Sequence, residues 1–138
     1  VSITIYTDGS CKGNPGPGGW AAVFLHSRAP RVDRFISGGA AQTTNNRMEL
    51  TAAIKGLEAI GWGTPITIYS DSMYIVGTMT KGWQRRYNVD LWDRLDKAAE
   101  GKDIEWVWVK GHDGNVGNEE ADRIAQAEAE KWRSIIRD

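Results

Sequence analysis

The chain of 138 residues has one cysteine, Cys11, two histidines, four prolines and almost no net charge. A single cysteine has no partner within the chain, so disulfides do not staple this fold. That usage suits a reducing compartment, and the expected location is the cytoplasm. No apolar run approaches the roughly 20 residues of a membrane-spanning helix, so no membrane association is expected. The chain opens directly on a strand-like run, and no signal peptide is expected. His26 and His112 are far apart, and no His/Cys cluster has the spacing of a zinc site. Lysine and arginine number 17 against 18 aspartates and glutamates, a net charge of −1 with a pI near 6.2. This argues against a surface that holds a polyanion by bulk positive charge. Local clustering changes that figure: if four carboxylates hold two divalent ions, −1 becomes +3.

What is there is a six-residue phrase written twice, each copy ending in a carboxylate. Residues 3–8 read Ile-Thr-Ile-Tyr-Thr-Asp and residues 66–71 read Ile-Thr-Ile-Tyr-Ser-Asp. Both are β-branched and aromatic runs with alternating character, the signal of a sheet strand. Both stop at a turn or helix-start signal, Asp8-Gly9 and Asp71-Ser72. If the strands are parallel neighbours, the two carboxylates stand at one sheet end, about 4.8 Å apart. Two anions that close repel by roughly 3 kcal/mol at an effective dielectric of about 20. A shared proton or a divalent cation would relieve this.

Apolar content of 41% and charged content of 25% suit a single globular domain over 1–138. The segment Gly9–Gly19 carries five glycines and two prolines in eleven residues and reads as a loop of unusual backbone geometry. Strands are expected at Trp20–His26 and Arg31–Gly38, joined by a polar turn at Ser27–Pro30. A helix follows through Ile60, then a strand at Ile66–Ser70 and helices at Ser72–Lys81 and Asp90–Glu100. A strand at Ile104–Val109 and a helix at Gly117–Ile136 close the chain. The expected class is α/β: a five-stranded mixed sheet whose first three strands form an antiparallel meander, with helical crossovers setting strands 1, 4 and 5 parallel. Ligands of such sheets gather off the carboxyl ends of the parallel strands.

Two further acids lie on apolar faces. Glu49 heads the stripe Ala53, Leu57 and Ile60, and Asp122 is in line with Ala125, Ala129, Trp132 and Ile136. The competing explanation for Glu49 is a capping box with Asn46. For Asp8 it is a turn, and for Asp71 an N-cap. Four such acids at element termini, two at matched strand ends, favour a shared site. Carboxylate oxygens are the hard ligands that Mg²⁺ and Mn²⁺ prefer. His112, in a glycine-flanked loop straight after a strand, is placed for proton transfer.

These motifs together resemble type 1 ribonuclease H over essentially the whole chain. The matching pieces are Thr7-Asp8-Gly9-Ser10-Cys11, Gly13-Asn14-Pro15-Gly16-Pro17-Gly18-Gly19 and Thr43-Thr44-Asn45-Asn46-Arg47-Met48-Glu49-Leu50. Further on come Tyr69-Ser70-Asp71-Ser72, Asp90-Leu91-Trp92, Trp106-Val107-Trp108-Val109-Lys110-Gly111-His112, and Asn118-Glu119 before Ala121-Asp122. The resemblance implies hydrolysis of the RNA strand of an RNA–DNA hybrid, leaving a 5′-phosphate and a 3′-hydroxyl. It implies two Mg²⁺ ions, with Mn²⁺ as a substitute. Asp8 would bridge them, Asp122 would help hold one, Glu49 and Asp71 the other, and His112 would assist proton movement or product departure. The implied state is a monomer with no obligate protein partner. Recognition of the RNA 2′-hydroxyl needs groups that both donate and accept. Asn14, Asn45 and Asn46 can do both, and by resemblance Cys11 and Asn14 line the minor groove while Thr44 and Asn14 meet DNA-strand phosphates.

Two features depart from the family pattern. Met73 stands where many members carry glutamine, leaving packing against a sugar or base edge in place of hydrogen bonds. The segment Lys81–Asp90 lacks the basic protrusion of fuller members and keeps Lys81, Arg85 and Arg86 beside Trp83 and Tyr87. Trp83 is the expected stacking contact, and binding should be weaker and less salt-steep than in members with the protrusion. Trp106, Trp108, Trp92 and Trp62 read as core packing. The alternatives are a catalytically weak hybrid-binding module and a related-fold DNA nuclease or strand-transfer enzyme.

Overall fold

A computed structural model describes residues 2–26, 32–111 and 113–137; the expected turn at Ser27–Pro30 and the side chains of His26 and His112 lie outside the described residues. The elements run β1 (Ile3–Cys11), β2 (Gly16–His26), β3 (Val32–Thr43), α1 (Asn45–Glu58), β4 (Ile66–Ser70), α2 (Met73–Lys81), α3 (Val89–Ala99), β5 (Ile104–Trp108) and α4 (Val116–Arg137). The five strands form one sheet in the order β3-β2-β1-β4-β5. β1–β2 and β2–β3 are antiparallel, β1–β4 and β4–β5 parallel, as the alternation and crossovers predict.

The sheet is covered on both faces. Ile5, Ile66 and Ile68 pack with Leu50, Ile54 and Leu57 of α1, Ile75 of α2, and Trp92 and Leu95 of α3. On the other face Ala21 and Val23 meet Ala121, Ile124 and Ala125 of α4, with Tyr6 beside them. Fully burying a side chain of this size contributes about 1.5–3 kcal/mol, so the two layers hold the strand ends in register. Among the described residues, no helix is long and apolar enough to cross a membrane.

The glycine-rich segment is mostly sheet, not loop. β1 continues past Asp8, pairing Gly9 with Trp20, Ser10 with Gly19 and Cys11 with Gly18, so only the residues between Cys11 and Gly16 turn the chain. The reason is steric: a Cβ on Gly9 would lie 2.4 Å from the backbone N of Glu49, and one on Gly19 2.3 Å from Ala125 O. The glycines let helices approach the sheet from both sides.

The capping box is absent. β3 runs to Thr43, so α1 starts at Asn45 with Thr44 as its N-cap, Oγ1 accepting from Arg47 N at 3.2 Å. Glu49 is then the fifth helical residue, too far along to reach the cap. At α2 the cap is Ser72, whose Oγ accepts from Ile75 N at 3.3 Å, which leaves the Asp71 carboxylate to other work.

The tryptophans divide. Trp92 is 1% exposed and Trp106 packs against the core, but Trp62 is 80% exposed. Trp62 lies past Ile60, the last core residue before β4, between Gly61 and Gly63, where the connection carries it off the helix. Trp108 is also largely in solvent, 46% exposed.

Candidate active site

The repeated phrase pairs with itself residue for residue. Ile3 faces Ile66, and the parallel register continues to Thr7 against Ser70. Tyr6 and Tyr69 stack with ring centroids 4.7 Å apart and planes 12° from parallel. The next residue along each strand is Asp8 and Asp71, delivered to the same sheet end. Gly9 lets α1 lie close enough to bring Glu49 over the same spot. One carboxylate oxygen from each of Asp8, Glu49 and Asp71 lies within 4.8 Å of the others.

Burial sets the electrostatics. Asp8 is 3% exposed and Glu49 8%. Burial, then the charge of Asp71 and a side-chain hydrogen bond with Asp122, push the Asp8 carboxyl up to about 9, against one hydrogen bond from Gly9 N at 3.0 Å. Burial followed by the charges of Asp8 and Asp71 raises Glu49 well above the usual carboxylate range. Among the described residues, Glu49 Oε1 is buried without a hydrogen-bond partner. Such an atom needs a partner, since a buried acceptor left alone costs about 1–3 kcal/mol. An all-oxygen cluster with an orphaned buried carboxylate oxygen fits a hard divalent cation.

Asp122 comes from α4. It lies outside the three-carboxylate group but bonds with Asp8, and its Oδ2 accepts from Gln126 Nε2 at 2.9 Å. The fourth expected acid is therefore adjacent, not scattered. His112 lies outside the described residues, but the preceding Gly111 is close to the site: a Cβ there would sit 2.8 Å from Asp71 Oδ2. Asn118, on α4, is 2% exposed and its Nδ2 donates to Asp71 Oδ2 at 3.4 Å.

The polar residues meet in a groove of about 500 Å³ lined by Asn14, Thr44, Asn45, Asn46, Tyr74, Tyr87 and Asn88. Asn14 Oδ1 accepts from Asn45 N at 2.9 Å, tying the β1–β2 turn to the start of α1. The far wall is Asn88, at positive φ of 58°. Its Nδ2 donates to Tyr74 Oη at 3.1 Å, and its Oδ1 accepts from Arg47 Nη1 at 3.3 Å. Arg47 also holds Asp90 through both terminal nitrogens, at 3.0 and 2.8 Å, which lowers Asp90 to about 2. Trp92 Nε1 donates to the same Tyr74 oxygen at 3.1 Å. Cys11 does not line this groove: its Sγ stands 3.4 Å from Gly16 O and 3.3 Å from Thr43 O, the two acceptors its single S–H can reach, and burial pushes its thiol up.

Met73 and Trp83 lie apart from the asparagine groove, on α2 and just after it, 39% and 44% exposed. Trp83 folds back onto the helix, where a Cβ on Gly77 would come within 2.3 Å of its ring, and Lys81 Nζ stands 5.7 Å from the ring centroid. Of the expected basic patch, Arg85 is already engaged, paired with Asp96 and lying 4.9 Å over the Trp92 ring. Sequence reasoning missed Tyr74 and Asn88 as lining of the groove and Asn118 as a partner of Asp71. Asn88 had a usable signal, an asparagine before a helix start.

Clustered hard-oxygen donors where the pairing of two parallel strands ends make a site suited to a divalent cation. The family model for RNase H matches residues 1–130. A ribonuclease H from Alcanivorax borkumensis is 44% identical over 137 residues, covering 90% of this chain and 89% of that protein. Another from Methylobacillus flagellatus is 47% identical over 136 residues, covering 89% and 88%. Among solved structures, the N-terminal RNase H domain of a Mycobacterium tuberculosis protein superposes with a TM-score of 0.87 at 26% identity, covering 99% of both chains. LC11-RNase H1, solved with an RNA/DNA hybrid, shares the fold at a TM-score of 0.80 and 22% identity, covering 94% of this chain and 98% of that one. The chain belongs to the ribonuclease H family, and the type 1 subtype its motifs indicate is consistent with these matches.

Proposed function

We propose that this enzyme cleaves the RNA strand of RNA–DNA hybrids endonucleolytically, leaving 5′-phosphate and 3′-hydroxyl ends. The observation that carries the reading is the residue-for-residue pairing of the repeated phrase, which sets Asp8 and Asp71 together under Glu49. Two divalent cations, Mg²⁺ with Mn²⁺ as a substitute, would neutralise charge on the scissile phosphate and promote attack by water.

This chain's own residues do the holding. Asp8, Glu49 and Asp71 supply the converging oxygens, with Asp122 alongside Asp8. Asp8, raised to about 9, must release its proton to become a ligand. Asn118 orients the Asp71 carboxylate by its amide N–H. His112, the residue after Gly111, carries protons away from the reacting phosphate or speeds product departure. Asn14, Thr44, Asn45 and Asn46 offer amide and hydroxyl groups that both donate and accept, as reading a 2′-hydroxyl requires. Cys11 braces the turn that carries Asn14. Met73 and Trp83 extend the binding surface along α2 by packing and stacking. The protein acts as a monomer in the cytoplasm.

The test is cleavage of a labelled hybrid beside duplex RNA, duplex DNA and the single strands, with and without Mg²⁺. Hybrid cleavage confined to the RNA strand and dependent on the cation is expected, with Asp8→Asn inactive. Binding without cleavage would make the protein a hybrid-binding module, and cleavage of duplex DNA would make it a different nuclease.

A further inference from the structure

Asp71 stands one residue past the end of β4, where the ladder to β5 stops. The last main-chain bond between these strands runs from Val109 N to Ser70 O, at 2.9 Å. A carbonyl just beyond a ladder has to find its donor elsewhere. The indole Nε1 of Trp108 supplies one, donating to Asp71 O at 3.1 Å. Trp108 faces Ser70 in the β4–β5 register, so its side chain, not its main chain, spans the extra residue.

The ring takes this position in spite of burial. Trp106, two residues earlier, packs against the core, while Trp108 stays 46% exposed at the end of a five-residue edge strand. Half of the indole stays in water, and its N–H has a specific partner in Asp71 O. The Asp71 carboxylate is held independently by Asn118 Nδ2, at 3.4 Å. Main chain and side chain of this one residue are thus gripped from two different elements, β5 and α4. The grip fixes the short β4–α2 turn, whose first residue presents its carboxylate beside those of Asp8 and Glu49.

We propose that Trp108 is a positioning residue: its indole N–H fixes the β4–α2 turn so that the Asp71 carboxylate stays within cation-binding reach of Asp8 and Glu49. The inference rests on reading these acids as cation ligands, and it assigns Trp108 no contact with substrate.

Two replacements separate the N–H from the ring. Trp108→Phe removes the donor and keeps an aromatic. Benzothienylalanine at position 108 keeps the indole outline and puts sulfur where the N–H was. Mn²⁺ binding is measured calorimetrically on the whole protein without nucleic acid, and hybrid cleavage is measured against Mg²⁺ concentration. Both replacements should weaken Mn²⁺ binding by ~10–100-fold, the scale for losing a group that orients a ligand. Both should raise the Mg²⁺ needed for half-maximal rate by a similar factor. KM for the hybrid at saturating Mg²⁺ should stay within about twofold of the parent, on the same reasoning. Unchanged Mn²⁺ isotherms for both replacements, with a parent that binds the ion, would overturn the positioning role alone. A raised KM with unchanged isotherms would also overturn it, making Trp108 a substrate contact. A parent that binds no divalent ion would remove the reading of the acids and this inference with it.

Discussion

Thr7 and Ser70 lie opposite one another across the parallel pairing of β1 and β4, and the aspartate following each is thereby set at one sheet end. From there α1 adds Glu49 and α4 adds Asp122. Burial of these acids, and then their mutual repulsion, is what makes the assembly responsive to pH and to cations.

The first expectation concerns stability without metal. A carboxyl whose folded value is raised binds its proton more tightly folded than unfolded. Its favourable contribution is fully present below about pH 4 and is lost as pH rises toward the folded value, about 9 for Asp8. In a chelator, wild-type stability should therefore fall between about pH 4 and pH 9, by a few kcal/mol in order of magnitude. Asp8→Asn should flatten that slope and be the more stable protein at about pH 8, as denaturant titration at several pH values would show. Parallel slopes for the two proteins would mean that Asp8 is ionised in the folded state.

The same protons govern cation binding. At neutral pH the metal-free Asp8 holds its proton, so Mg²⁺ binding should release protons and strengthen with rising pH. Calorimetry in buffers of different ionisation enthalpy measures that release. The part owed to Asp8 should shrink toward zero near about pH 10, above its folded value.

A third expectation concerns the groove wall. Lysine in place of Arg47 keeps the charge but cannot grip Asp90 through two nitrogens while holding Asn88. Arg47→Lys should raise KM for the hybrid by about fivefold, equivalent to ~1 kcal/mol, with kcat nearly unchanged. A fall in kcat with constant KM would place Arg47's influence on the acids instead.

The basic segment should divide by how each residue is engaged. Arg85, committed to Asp96 and the Trp92 face, should affect thermal stability when changed to alanine and leave the salt dependence of hybrid binding alone. Lys81→Ala and Arg86→Ala should each reduce the slope of log affinity against log salt by roughly one or less. Gel-shift titrations across salt concentrations on inactive Asp8→Asn backgrounds read this directly. An equal change for Arg85→Ala would mean its ion pair opens when the hybrid binds.

Much of this was readable before any coordinates. Alternation and the duplicated phrase marked two matching strands with Asp8 and Asp71 at equivalent positions along them, because a period of two is a local property of the chain. Glu49 and Asp122 stood out because an acid on an apolar helix face contradicts its surroundings. The boundaries were less legible. β1 runs on through Gly9–Cys11 because β2 pairs with it there, and the glycines that looked like loop signals are gaps into which helices fit.

Local pattern therefore determined most element types and the mixed sheet and singled out four carboxylates, since periodicity and charge placement are written along the chain. Tertiary structure decided that Asn88 and Tyr74 complete the groove, that Arg85 is engaged elsewhere, and that Trp108 turns its N–H to Asp71. Those outcomes depend on hydrogen bonds between residues 11 to 41 positions apart. A spacing pattern carries no information about which distant donor a given acceptor will meet once packing has brought the elements together.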